Sequence, residues 1–397
     1  MSPSLRFPEF TGEWKEERLS EIADIYKGAG ISKDQLSDNG EPCILYGELY
    51  TKYKTETITE VISRTDIDNT KLVRSKANDV IIPCSGETAE DIATARCVIK
   101  DGILLGGDLN IIRLHNYDGS FVSYQLNGKR KYDIAKVAQG VSVVHLYGEH
   151  LKGVKTVNPY LAEQKKISRF LSLIDERIAV QSRLIDRLQS LMIGLNNSLY
   201  EQYGNDITTS FMELGYSYSG LSGKSAKDFG SGKPFITYLN VYSNIIVDET
   251  DYQYVRINDG EKQNIVRTGD VLFTLSSETP EEVGIGSVYL GEKEVYLNSF
   301  CFGIHIERNQ LAYSPYLSYY VTSTAFRKFI YPFAQGSTRF NLCKADFEKA
   351  SIKLPSLDNQ KRISAMLDCI AEKIQAEKAI LEYYNIQRQY LLRQMFI

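Results

Sequence analysis

The chain carries one pattern twice, in the same order and at nearly constant spacing. Gly40-Glu41-Pro42-Cys43-Ile44-Leu45-Tyr46 returns 192 residues later as Gly232-Lys233-Pro234-Phe235-Ile236-Thr237-Tyr238. Asp79-Val80 followed by Ser85-x-Glu87-Thr88-x-Glu90 returns 191 residues later as Asp270-Val271 followed by Ser276-x-Glu278-Thr279-x-Glu281. Ala138-Gln139-Gly140 matches Ala334-Gln335-Gly336, and Leu161-x-x-Gln164-Lys165-x-Ile167 matches Leu357-x-x-Gln360-Lys361-x-Ile363, both 196 residues apart. So small a drift marks loop insertion between two copies of one structural unit. Two copies give two equivalent surfaces, which suits a ligand that itself has two halves.

A chain of 397 residues is too long for one compact core, and each half falls in the range of a domain with an accessory element. Apolar residues at 43% and charged residues at 24% exclude a disordered chain. No apolar run reaches the length of a membrane span, and the start Met1-Ser2-Pro3-Ser4-Leu5-Arg6 lacks a leader pattern, so a cytoplasmic protein with no membrane partner is expected. Cys43, Cys84, Cys97, Cys301, Cys343 and Cys369 lie far apart without a C-x-x-C pair. They are expected to be small buried apolar residues, with neither a zinc site nor disulfides.

Each copy closes on a heptad pattern. In the first, the apolar seam runs through Ile167, Leu171, Ile174, Ile178, Ile185 and Leu188, interrupted at Gln181. In the second it runs through Ile363, Leu367, Ile370, Ile374 and Leu381, interrupted at Glu377, the position equivalent to Gln181, and again at Arg388. A stripe this narrow and long wants a partner helix, and the other copy is the obvious one. A helix of some 40 residues reaches about 60 Å, so the second domain must fold at its far end and its own helix must run back. The alternative, each helix packed on its own domain as ordinary core, stays open here.

The expected fold is therefore α+β: two similar mixed α/β domains, residues 1–158 and 204–353, separated by a pair of long antiparallel coiled-coil helices, residues 159–203 and 354–397. Short runs such as Val80-Ile81-Ile82, Ile111-Ile112-Arg113-Leu114, Val271-Leu272-Phe273-Thr274-Leu275 and Cys301-Phe302-Gly303-Ile304-His305-Ile306 predict strands. Short helices are predicted near Ser123 to Gln125 and Pro315 to Phe329. The loops have diverged between the copies: Val141-Ser142-Val143-Val144-His145-Leu146 stands opposite Ser337-Thr338-Arg339-Phe340-Asn341-Leu342. One scaffold with different loops suggests two sites doing the same work on different targets.

A net charge of −4 does not by itself favour nucleic acid, but its distribution does. From Tyr124 to Phe170 nine basic residues face three acidic ones, and from Tyr313 to Arg362 eight face three. Such segments either contact phosphates or form a solvated face. Side chains able to read base edges are Lys27, Tyr46, Glu48, Ser85, Glu87, Thr88 and His145 in the first copy. In the second they are Tyr238, Asn240, Ser277, Glu278, Thr279, Ser337, Thr338, Arg339 and Asn341. The duplicated Ser-x-Glu-Thr is either part of such a site or a helix cap with its capping box.

The order of these features resembles the specificity subunit of type I restriction-modification systems. Its marks are a variable domain, a helix opened by Leu161-Ala162-Glu163-Gln164-Lys165-Lys166-Ile167, a second variable domain and a helix opened by Leu354-Pro355-Ser356-Leu357-Asp358-Asn359-Gln360-Lys361-Arg362-Ile363. Ala138-Gln139-Gly140, Ala334-Gln335-Gly336-Ser337-Thr338 and the opening Leu5-Arg6-Phe7-Pro8 with Trp14-Lys15 are similar to that family too. The first copy departs from the pattern with Val157-Asn158-Pro159-Tyr160 where the second keeps Leu354-Pro355.

The resemblance implies two target recognition domains, each binding half of a split double-stranded DNA site. It also implies partners: modification (methyltransferase) subunits that carry S-adenosylmethionine and methylate adenine, and a restriction (translocase/endonuclease) subunit that uses ATP and Mg. No chemistry of the chain's own is evident. There is no G-x-x-x-x-G-K-[ST] loop, and Asn158-Pro159-Tyr160 resembles the methyltransferase Asn-Pro-Pro-Tyr motif but lacks a proline and a glycine-rich companion. His145 and His150 have no third metal ligand. The competing class is a non-DNA coiled-coil scaffold joining two partners.

Overall fold

The computed structural model describes residues 2–68, 71–140 and 143–397; Val141 and Ser142 of the diverged loop lie outside them. The chain divides into two compact units, Met1–Arg183 with Ala379–Ile397, and Leu184–Lys378. Each long helix, Leu161–Tyr203 and Leu357–Gln394, gives one part of its length to each unit.

Both units are built on the same sheet. In the first, the central strands Asp79–Pro83 and Leu109–Leu114 pair antiparallel with Ile81 opposite Ile111, flanked by Ala23–Lys27 on one side and Arg96–Val98 on the other. In the second, Val271–Thr274 pairs with Cys301–Ile306, flanked by Gly215–Ser219 and Gly286–Val288. Val80, Ile81 and Ile82, like Val271, Leu272 and Phe273, are fully buried, which explains their unbroken apolar runs. The predicted short helices are Gly119–Asn127, Ser314–Tyr320 and Thr324–Ile330.

A smaller sheet in each unit carries the Gly-x-Pro motif: Glu41–Ile44 lies parallel to Leu104–Leu105, and Phe229–Ile236 parallel to Tyr296–Leu297. Cys43, Cys84, Cys97 and Cys301 are buried as expected. Cys343 is half-exposed with its Sγ donating to Asp346 at 2.9 Å, and Cys369 is exposed on a helix, so the expectation fails for these two.

The duplicated Leu-x-x-Gln motif anchors each long helix. Gln164 accepts from the Asp118 N–H at 2.9 Å and donates to the Pro159 carbonyl at 2.8 Å. Gln360 accepts from the Tyr313 N–H at 2.8 Å and donates to the carbonyls of Leu311 at 2.8 Å and Pro355 at 2.9 Å. Both glutamines are buried. The strand before each helix is closed by the first strand of its unit, Lys155–Asn158 on Lys15–Arg18 and Ile352–Leu354 on Ile207–Thr209.

Within each unit the start of one helix packs beside the end of the other. In the first unit Ile167, Leu171 and Ile174 share a core with Leu391, Met395 and Phe396. The Leu5 N–H donates to Gln394 and the neighbouring Arg6 guanidinium pairs with Glu163, while further along Arg388 Nε meets Asp175 at 2.6 Å. Rising numbers on one helix thus meet falling numbers on the other, which is antiparallel pairing. In the second unit Met192, Leu195 and Leu199 pack on the core that holds Ile363 and Leu367. Asn196 and Asp368 there bond the same tyrosine, Tyr319, and Asp206 accepts from the Ser356 N–H. Of the remaining seam residues, Gln181, Ile185, Ile374 and Glu377 are buried, and Ile178, Leu188, Ile370 and Leu381 half-buried.

Arg388, which breaks the heptad, is matched by charge: its guanidinium bonds Asp175 and Glu56, both at 2.6 Å. Burial works against that charge, but the two carboxylates outweigh it and hold the arginine above its ordinary pKa. Burial also raises the Asp175 carboxyl, against the pull of Arg388. A raised folded pKa gives stability that is present at low pH and lost as pH rises through it. Arg388→Met, which strands two buried carboxylates, is expected to lower unfolding stability near neutral pH by about 3 kcal/mol. The deficit should shrink between neutral pH and an acidic pH at which the wild-type fold persists, as Asp175 takes up a proton. Denaturant unfolding at both pH values checks this; a deficit below about 1 kcal/mol, or one that grows in acid, contradicts it.

Candidate nucleic-acid interface

The loops between sheet and helix meet in the same way in both units. In the second, a hairpin of Ala334–Gln335 and Phe340–Leu342 pairs through Asn341 with Ser276. In the first, His145 bridges Gln139 and pairs with Ser85. The turns open on Gly140 and Gly336, at φ +123° and +138°. A Cβ there would lie 2.1 Å from the carbonyl oxygen of Val143 or Arg339, so both hairpins require glycine. Two further backbone bonds recur. The Cys84 N–H donates to Asp108 and the Leu146 N–H to Cys84, all at 2.8 Å. The Leu275 N–H donates to Phe300 and the Leu342 N–H to Leu275, again at 2.8 Å. This frame makes Asn341 the sister of His145, Arg339 of Val143 and Phe300 of Asp108.

The candidate residues separate into exposed ones and ones committed to the fold. Lys27, Glu87, Thr88, His145, Glu278, Thr279, Ser337, Thr338, Arg339 and Asn341 are exposed, and Tyr46, Ser85 and Tyr238 are half-buried. Glu48 is buried; it accepts from the Leu45 N–H at 3.0 Å, from Lys52 at 2.7 Å and from the Ser63 hydroxyl. Asn240 is 1% exposed and ties its loop to the backbone of Asp248 and Asp251. Ser277 is buried and donates to Glu282 at 3.0 Å. Local hydrogen-bonding needs place these three inside, where the loop position alone had suggested a reading surface.

Thr88 caps the short helix Ala89–Ile92, accepting from the Asp91 N–H at 3.1 Å and donating to the Asp91 carboxylate at 2.7 Å, so in the first copy the motif is a cap whose acid is Asp91, not Glu90. Thr279 opens the turn Pro280–Glu282 without a side-chain cap bond. Tyr238 donates to the Ser276 carbonyl at 2.8 Å and stacks on Tyr242, and the Arg339 guanidinium lies 5.9 Å from the Phe300 ring centroid.

Two hollows flank this surface in the first unit. A cleft of about 1150 Å³ is lined by Lys27, Tyr46, Tyr50 and Asp108 among others, and a hollow of about 290 Å³ by Lys27, Asp108, His145 and Tyr147. Lys27 and Asp108 line both. The basic segments are less free than their sequence suggested: Arg130, Lys152, Lys155, Lys166 and Arg169 form ion pairs with nearby acids. Arg327 is turned inward onto the carbonyls of Glu281, Val283 and Gly284. Sequence reasoning missed Asp108, Phe300, Tyr147 and Tyr242. Only the repeat register could have pointed to the first two, and they share no identity.

Comparison with known proteins now assigns the family. The model for the type I restriction modification DNA specificity domain matches residues 11–190 and 221–383, so the chain belongs to that family. It is 21% identical to the type I restriction enzyme MjaVIII specificity subunit of Methanocaldococcus jannaschii, across 96% of this chain and 93% of that one. The Salmonella potsdam StySPI and Escherichia coli EcoKI specificity subunits match at 27% and 26%, each over 38% of this chain and about a third, 32%, of their own length. The type I restriction-modification S subunit from M. genitalium has the same fold, with a TM-score of 0.61 at 17% identity over 100% and 99% of the two chains. A chain from a structure on complex assembly and conformational transition of a type I R-M system scores 0.59 at 17%, over 98% of both. Among the described residues no helix is long and apolar enough to cross a membrane, and no group of His, Cys, Asp and Glu is placed to hold a metal.

Asn240→Ala removes four hydrogen bonds from a buried loop centre. It is expected to lower stability by about 2 kcal/mol in urea unfolding. Unchanged stability would return Asn240 to the reading surface.

Proposed function

We propose that this chain is the non-catalytic, sequence-specific DNA-binding subunit of a cytoplasmic type I restriction-modification complex, each unit reading one half of a bipartite duplex site. The observation that carries this reading is the twin loop frame: the same backbone bonds hold different exposed side chains at matched positions. Identical frames with His145, Asp108 and Val143 in one unit and Asn341, Phe300 and Arg339 in the other suit two different short sequences. Family membership supports DNA as the target.

Of the sequence candidates, the reading retains Lys27, Tyr46, Ser85, Glu87, Thr88, His145, Tyr238, Glu278, Thr279, Ser337, Thr338, Arg339 and Asn341. Glu48, Asn240 and Ser277 support their loops from beneath. Methyl transfer and cleavage belong to partners: modification subunits holding S-adenosylmethionine and a restriction subunit using ATP and Mg. Basic side chains outside those ion pairs would supply the phosphate contacts that position the duplex, and the partners would add to the DNA affinity.

Exchanging residues 1–158 for the corresponding domain of another specificity subunit is expected to change one half of the selected site and leave the other half unaltered. Selection of bound duplexes from a randomised pool by the assembled methylase checks this. A site unchanged in both halves would overturn the reading.

A further inference from the structure

Resting on the DNA-specificity reading above, we propose that the sister positions 108 and 300 choose the base each unit accepts: Asp108 takes a cytosine through its exocyclic amine, and Phe300 levels Arg339 for a guanine. The two positions are equivalent by bonding, since the backbone carbonyl of each accepts from the matching strand, Cys84 in one unit and Leu275 in the other. Both side chains are exposed at the loop surface.

The chemistry is exchanged as a pair. Where the first unit has Asp108 it has Val143 at the hairpin tip, 53% exposed and without a donor. Where the second has Phe300 it has Arg339, a donor fork, at the same tip. At this pair of positions the first unit thus has an acceptor and no fork, and the second a fork and no acceptor.

Asp108 lines both hollows, with one carboxylate oxygen accepting from the Ser85 hydroxyl at 3.2 Å. A carboxylate there is repelled by phosphates and gains from DNA only by accepting a base donor, for which the cytosine amine is the fitting partner. Phe300 is a large apolar side chain 56% exposed. The Arg339 guanidinium carbon lies 5.9 Å from the Phe300 ring centroid, within cation–π reach, and a guanidinium that stacks on an aromatic face keeps its N–H edge for O6 and N7 of guanine.

The test is selection of duplexes from a randomised pool by the full chain assembled with its modification subunits. Asp108→Asn, nearly isosteric, should shift one position of one half-site from cytosine toward adenine, with about tenfold weaker binding of the parent site. Arg339→Lys keeps the charge but loses the fork, and Phe300→Ala loses the support. Both should relax a guanine in the other half-site by about tenfold and leave binding to unrelated duplexes intact. Variants that select the parent site unchanged, or that weaken all duplexes equally, overturn the proposal. A wild-type assembly with no sequence preference at all would instead overturn the specificity reading on which it rests.

Discussion

Everything in this protein hangs from two helices whose apolar seams are too narrow to form a core alone and too long to leave in water. Burial solves this locally in each unit, where the start of one helix meets the end of the other under a cap of domain residues. The polar groups on these surfaces are satisfied one by one: Gln164 and Gln360 take up loop backbone, and Arg388 is matched by Asp175 and Glu56. A unit therefore needs segments from both ends of the repeat to be complete. The first includes the last residues of the chain, Ala379–Ile397.

That requirement fixes the scaffold and frees the loops. The central strand pairs, the buried glutamine that anchors each helix and the glycine that opens each hairpin recur in the two copies. At the hairpin tip and on the neighbouring loop the frame is made by backbone groups, so the side chains there can differ. Comparing the two units within one molecule shows which positions are held and which vary: glycine at 140 and 336, but Val143 against Arg339 and Asp108 against Phe300.

The architecture was legible in the sequence because its causes are periodic. Heptads, unbroken apolar strands and repeated glycine or glutamine positions each leave a pattern. The candidate site was only partly legible. Arg339 and His145 could be named because they sit beside repeated motifs. Glu48 and Asn240 looked the same from the sequence, but the need to satisfy buried backbone groups turned them inward. Asp108 and Phe300 escaped notice because sister positions with no shared chemistry carry no sequence signal. Part of the basic segments pairs with acids far off in the chain, Lys155 with Glu16 and Lys166 with Glu9, which the local charge count does not register.

The central claim is that twin units read the two halves of one divided site. Sequencing methylated adenines in cells that carry this chain with its modification partners tests it most directly. The account predicts a single motif of two short specified blocks separated by a spacer of fixed length and free sequence. A continuous motif, or methylation without any motif, would contradict it.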